Sequence, residues 1–293
     1  MSANATARAP GAGPTRGPAG AALRRLMANR SFMIGGCLVL AIVLAAIFAE
    51  WLTPFDPLRS NVRARLQEPS SRHWFGTDHF GRDIFSRVVF GARISLTIGL
   101  LVVIATGAFG TLIGALAGYF YRVDNLLMRL MDALMAFPAI LLAITVSAVL
   151  GASVPNVVIA LSVATTPHTA RIVRGSVLMV RGLEYVEAAR ALGAGEMRIL
   201  FRHVLANAMG PLIVRLTYVF AIAILAEAAL SFVGVGPPPP APSFGSIIAQ
   251  GRDFMVDAPW ICLFPGLAII VAVLGLNLLG DGLRDVLDPR MKT

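Results

Sequence analysis

One carboxylate lies deep in an apolar run: Glu227, in the segment Ala208–Val235. An acid at that depth is costly unless it faces a bundle interior or a water-filled path. Two kinds of chemistry are open to it. It could meet a cationic group of a cargo, or it could hold a hydroxyl or base of a neighbouring helix and order the bundle. Thr165, Thr166 and His168, flanking Pro167, bring hydroxyls and an imidazole into a second apolar run. Glu227, His168, Thr165 and Thr166 are therefore the candidate translocation-path residues. Arg215 lies in the same run as Glu227, but twelve residues away, about 18 Å along a helix, so the two do not pair.

Other constellations are excluded or weak. Paired acids, a Ser–His arrangement and H-E-x-x-H are absent at usable spacing, so no catalytic residue is assigned. Lys292 is the only lysine among 25 basic residues. A phosphate-binding P-loop needs a lysine, so any work driven by ATP and magnesium must come from a partner. Asp78, His79 and Asp83 could be read as metal ligands, but no second cluster completes a shell, and no metal or cofactor is assigned. Cys37 and Cys262 lie in apolar runs and are expected as free buried thiols.

A second charged stretch between apolar segments is Glu184–Asn207, with three Arg, three Glu and a His. Charges at that density do not fit a membrane span, so it is a water-facing loop. Glu184 and Glu187 suit the positive end of a helix dipole. Ala188 to Leu192 favour helix, and Gly193 is placed for a left-handed cap. The expectation is a helix–turn–helix elbow. Its small alanines would let another protein's backbone come close.

Glu187-Ala188-Ala189, three residues, then Gly193 resembles the EAA loop of ABC importer permeases. The usual Leu-Pro ending is replaced by Leu205-Ala206. The string from Gly76 to Arg87, G-T-D-x-x-G-R-D-x-x-S-R, resembles a signature of the C-type permease of dipeptide, oligopeptide and nickel importers. Met128-Arg129-x-x-Asp132 with Ala136-Phe137-Pro138, the proline strap after Gly234, and the ending Asp281–Arg290 resemble the same subfamily. The resemblance covers about Ser31 to Arg290.

These pieces must be positioned by membrane helices. Of 293 residues, 57% are hydrophobic and only 14% charged, which marks a polytopic membrane protein. The net charge of +9 points to anionic lipid rather than nucleic acid, because the arginines flank apolar runs. Residues 1–30 read as a disordered cytoplasmic tail, 31–52 as the first span and 53–92 as an extracytoplasmic segment. Residues 93–281 read as the permease domain, with the coupling loop at 184–207, and 282–293 as a cytoplasmic tail. The second span is expected from Ile94 to Phe120. Gly110, Gly114 and Gly118 give it a bare stripe for close helix packing. Leu126–Leu150 reads as one span kinked at Pro138, with Arg129 and Asp132 paired across one turn. The fourth span is expected to break at Thr165–His168. Pro237–Pro240 reads as an extended polyproline strap, followed by a short interfacial helix near Phe244–Phe254 and a sixth span over Pro259–Leu279.

The expected fold is an all-α membrane protein with six transmembrane helices. The resemblance implies the type I ABC importer permease fold with a cytoplasmic EAA coupling helix, in the bacterial inner membrane with both termini inside. Glu184, Glu187, Ala188, Ala189 and Gly193 would then meet the ATPase. It also implies a second homologous permease, two ATPase subunits, an extracytoplasmic substrate-binding protein and a peptide cargo. Nickel or glutathione are alternative cargoes. An ion-coupled secondary transporter is the rival outside this family, with Glu227 as its one candidate site. Assigned this way, sixteen basic residues lie inside and eight outside, but the first outer segment alone holds seven.

Overall fold

The computed structural model describes Arg24 and residues 26–287. The expected tail over 1–30 and the last residues of the 282–293 tail lie mostly outside that range. Among the described residues the backbone is helical with turns, and the only β pairing is an isolated bridge between Thr77 and Asp83.

Helix α1 is Arg30–Ile47, capped by Asn29, whose side chain accepts from the Phe32 amide at 3.1 Å. A short α2, Ala49–Leu52, follows. Residues 53–83 form a looped segment between α2 and α3. Helix α3, Ile84–Tyr119, has 36 residues and is about 54 Å long. Then come α4 (Tyr121–Met135), α5 (Ala139–Leu150), α6 (Val154–Arg181) and α7 (Glu184–Ala191). A three-residue α8, Glu196–Arg198, runs through a π-helical stretch, Ile199–Leu205, into α9, Ala206–Val233. Helix α10 is Phe244–Gly251 and α11 is Trp260–Leu287.

The core lies in three zones stacked along the helices. One joins α1, α3, α9, α10 and α11 around Ile84, Ile224, Phe244 and Ile261. The middle zone joins α3, α5, α6 and α9 around Ile98, Leu161 and Val219. The third joins the far end of α3 to α6, the elbow and the start of α9 through Tyr119, Val177, Val186 and Ile199. Helix α3 runs through all three, so it is the spine of the chain.

The glycine stripe of α3 lies against α6. A Cβ built on Gly110 would sit 2.8 Å from Thr169, on Gly114 2.4 Å from the Ala170 carbonyl, and on Gly118 2.9 Å from the Arg174 carbonyl. Only hydrogen fits at these points, so the two backbones approach closely over about two turns. The packing is within this chain. Helix α11 repeats the device against α1: Gly282 abuts Phe32, and Gly35 abuts Leu279.

Several expectations are corrected. Helix α3 begins ten residues before Ile94, because Asp83 supplies its cap and accepts from the Ser86 amide at 2.8 Å. The single kinked span over 126–150 is two helices, α4 and α5, bent by 89° at Phe137–Pro138. Asp132 does not pair with Arg129; it pairs with Arg171 of α6 at 2.5 Å. Helix α6 does not break at Pro167. Proline removes one backbone donor there, and neighbouring hydroxyls cover the weakened turn. Thr165 donates to the Leu161 carbonyl at 2.8 Å and Thr166 to the Ser162 carbonyl at 2.7 Å. The strap is not uniformly extended: it turns at Pro239–Pro240, which are joined by a cis peptide bond. Its two ends are pinned to one side chain, described below, so a straight strap could not close. Cys37 and Cys262 are free, but Cys37 is exposed, because α1 packs on the bundle along one face only.

Four stretches are long and apolar enough to cross a membrane: α1, α3, the run Glu196–Val233 and α11. The bent pair α4–α5 makes a fifth. Helix α6 has the length but carries Thr165, Thr166, His168, Arg171 and Arg174 along it.

The α3–α6 approach gives a direct test. Gly114→Ala should lower stability by about 1–3 kcal/mol, and Gly114→Leu by more, because the neighbour in the way is backbone. Gly36→Ala, with no atom within 4 Å of its Cβ, should leave stability unchanged. Melting temperatures of the purified protein check this. Equal values for Gly114→Leu and the parent would refute the packing.

Candidate functional site: an exposed elbow and a buried glutamate

The elbow is a small, well-anchored element. In α7 the side chain of Val186 is fully buried with Val177, Val180, Ile199 and Leu200. Its opposite face is open: Glu184, Glu187 and Ala188 are exposed and Ala189 half-buried. The helix ends in a two-bond left-handed cap. Gly193, at φ +81°, donates to the Arg190 carbonyl at 3.0 Å, and Ala194 donates to the Ala189 carbonyl at 3.1 Å. Any other residue at Gly193 would be strained by that φ. Its side chain would nonetheless meet open space within this chain. Beside the cap, Leu192 is 87% exposed, a large apolar side chain on a polar loop.

Polar contacts tie the elbow and its flanking helices together. Tyr119, the last residue of α3, donates its hydroxyl to Glu196, which also sits 3.6 Å from Arg190. Arg181, at the end of α6, donates to the Gly118 and Tyr119 carbonyls at 2.8 and 3.1 Å, covering the carbonyl end of α3. Arg174 of α6 forks onto Asp124 of α4 at 2.6 and 2.5 Å. Tyr119, Arg181, Glu196 and Asp124 were not singled out in the sequence. Only their pairing across distant segments marks them.

Glu227 is fully buried. One oxygen accepts from Ser231 and Ser243, each at 2.8 Å, and the other from Ser95 at 3.1 Å. Ser95 belongs to α3, Ser231 to α9, and Ser243 caps α10. The donors are in turn engaged. Ser95 accepts from the Phe244 amide at 3.2 Å, and Ser243 accepts from the Ser246 amide at 3.1 Å. Gly245 and Gly236 let this node close: a Cβ on the first would lie 2.5 Å from Ala228, and on the second 2.1 Å from the Ser231 hydroxyl. The other residues expected beside Glu227 are elsewhere. Thr165 meets Thr106 of α3 at 2.7 Å, Thr166 bonds back to its own helix, and His168 is exposed. No hydrogen bond joins them to Glu227 among the described residues. The serines were legible in part: Ser231 follows Glu227 by one turn, and Ser243 precedes Ser246 as a capping pair.

The Gly76–Arg87 motif builds a second polar knot in the looped segment before α3. Gly76 and Gly81 take φ +73° and +74°. Asp78 accepts from the Phe80 and Arg82 amides and from the Arg82 side chain at 2.6 Å. Arg82 and the fully buried Arg87 both reach Gln250 of α10, at 2.8 and 3.1 Å. Asp83 accepts from the Ser86 hydroxyl at 2.7 Å and holds His73 at 2.9 Å. Burial holds the His79 imidazole below its usual pKa, and its ring stacks on Phe254 at 4.8 Å. The three residues weighed as metal ligands therefore have separate partners. The arginine excess of this segment is partly absorbed: Arg82 by Asp78, and Arg93 by Glu50 at 3.3 Å.

The node around Glu227 predicts a graded series. Glu227→Leu removes the acceptor of three hydroxyls and should cost about 1–3 kcal/mol for each donor left unsatisfied. Glu227→Gln keeps the shape and most acceptors, so its loss should be clearly smaller. Thermal unfolding of the purified variants checks the order. Equal stability of the leucine variant and the parent would show that the serines find other partners.

Against known proteins, residues 110–293 match the family described as binding-protein-dependent transport system inner membrane component. Residues 17–69 match the N-terminal transmembrane domain of oligopeptide transport permease C. A peptide transport system permease protein of Brucella abortus, its own assignment provisional, is 58% identical over 92% of this chain and 91% of its own. The dipeptide transport system permease protein DppC of Alkalihalophilus pseudofirmus is 45% identical over 93% and 90%. The glutathione transport system permease protein GsiD of Escherichia coli is 45% identical over 92% and 89%. The inward-facing MetNI methionine ABC transporter aligns with a TM-score of 0.57, at 20% identity, over 68% of this chain and 96% of that one. An all-helical membrane bundle with this motif set and these relatives belongs to the binding-protein-dependent transport system inner membrane component family, the permeases of ABC importers.

Proposed function

We propose that this chain is one transmembrane subunit of an ATP-driven importer of short peptides, and that α7 is its coupling helix. The observation that carries the reading is the elbow. A short helix with small side chains stands exposed between two membrane helices, with its other face locked to α3 and α6. An element built this way transmits a push and does no chemistry. Glu184, Glu187, Ala188, Ala189 and Gly193 meet an ATPase subunit, with Leu192 as an apolar contact beside them.

In this reading a second, related permease completes the path and two ATPases bind ATP and magnesium. A substrate-binding protein delivers cargo from outside. Six membrane crossings, with α6 among them and both termini inside, place the elbow in the cytoplasm. Peptide cargo is favoured because relatives across nearly the full chain are named for peptides and dipeptides. The glutathione permeases keep a second reading open, and glutathione is itself a tripeptide. Glu227 is a structural residue in this reading. Its oxygens are occupied by serines of its own chain, which leaves little for an ion-coupled mechanism.

Ala188→Asp tests the coupling role without touching the left-handed cap. It places a charge in the proposed docking face, where the cost falls on the interface. In reconstituted complex, uptake should drop by about tenfold or more while the melting temperature of the permease stays within about 1 °C. Gly193→Asp should give the same uncoupling with an added loss of stability from the φ +81° position. Normal ATP-dependent uptake by Ala188→Asp would sink the assignment.

A further inference from the structure

An apolar slot of about 470 Å3 lies between α3 and the run that leads from the elbow into α9. Its walls extend from Val103 to Leu116 on one side and from Leu200 to Leu216 on the other. No lining residue is charged, and Thr111 is the only one with a hydroxyl. Gly107, Ala108 and Ala115 of α3 leave the space, while Leu112 and Phe201 stand beside it, 51% and 54% exposed. Both walls belong to stretches apolar enough to cross a membrane, in a chain of an inner-membrane family. The slot therefore opens to hydrocarbon or to another membrane chain. Its elbow end is cationic. Leu200 and Phe201 end the wall there, and Arg198 and Arg202 flank them in sequence, both exposed and without an ionic partner among the described residues. Helical side chains lean toward the N-terminus, which carries both guanidiniums away from the apolar wall. The one acid of that stretch, Glu196, is taken by Tyr119 and Arg190.

Shape decides between these occupants. Spread along about 20 Å of helix, the volume leaves a slot roughly 5 Å across. Another helix needs about 10 Å. A single extended acyl chain fits, and the length covers the roughly 15 Å of hydrocarbon in one leaflet. A tail held this way sets its headgroup at Arg198 and Arg202, where two unpaired cations favour a phosphate. Clefts between membrane helices with a basic end suit anionic headgroups for this reason. We propose that the slot binds one anionic phospholipid, its tail between α3 and α9 and its phosphate on Arg198 and Arg202. The lipid joins the spine to the base of the elbow, and its binding does not depend on which cargo is carried.

The test uses the assembled importer, stripped of lipid in detergent and mixed with equal amounts of phosphatidylglycerol and phosphatidylcholine. Bound lipid is counted by native mass spectrometry. The parent should hold one phosphatidylglycerol per copy of this chain, favoured over phosphatidylcholine by about tenfold or more. Ala108→Trp fills the slot and should lower retention of that lipid by a similar factor. Leu40→Trp places the same bulk at an exposed position of α1 and should change nothing. The double variant Arg198→Gln, Arg202→Gln should still take a tail but lose the preference for phosphatidylglycerol. Parental retention by Ala108→Trp, or parental preference in the double variant, would overturn the site. So would equal retention of both lipids by the parent, which is ordinary solvation of a membrane face. A complex that falls apart in Ala108→Trp but not in Leu40→Trp would make the slot a subunit contact and overturn it too.

Discussion

A bilayer offers no water to a buried polar group, so every such group must find its partner within the protein. The Glu227 node is where this chain meets that demand most fully. One carboxylate gathers hydroxyls from α3, α9 and the cap of α10, and so sets how three elements meet. It also decides the strap. Ser231 and Ser243 bond the same oxygen, so the intervening residues must turn back on themselves. The two glycines beside the node exist where a side chain would hold the elements apart. Take the acid away and three donors in three elements lose their common acceptor.

The rest of the bundle hangs on α3. At its start its cap, Asp83, also carries His73, and its first turns hold Arg87 against Gln250 of α10. Along its length the glycine stripe brings α6 to backbone distance. At its other end Arg181 and Tyr119 lock it to the base of the elbow. A displacement of α7 is thus delivered to α3 and α6 together. Packing this tight has discrete arrangements rather than soft ones.

Charge is distributed by the same logic. Most arginines near the apolar zones are matched: Arg82 with Asp78, Arg171 with Asp132, Arg174 with Asp124. Matched pairs of this kind order the fold.

The all-helical class, the short helix of the elbow and its glycine cap were legible from local pattern alone. Charge density excludes a span, carboxylates favour a helix start, and Gly193 takes the one conformation other residues resist. The glycine spacing likewise announced a close contact, but not that α6 of the same chain would fill it. What tertiary structure decided was partnership. Asp132 reaches Arg171 rather than the nearer Arg129, because α4 turns by 89° at Pro138 and lies along α6. Helix α6 stays whole through Pro167, because threonine hydroxyls and packing on α3 and α9 outweigh one missing donor. Glu227 could be placed deep from sequence, yet its partners come from residues 95 and 243 as well as from its own helix. Local rules fix which groups need a partner; only the folded chain, by bringing distant segments within 3 Å, decides which partner each one takes.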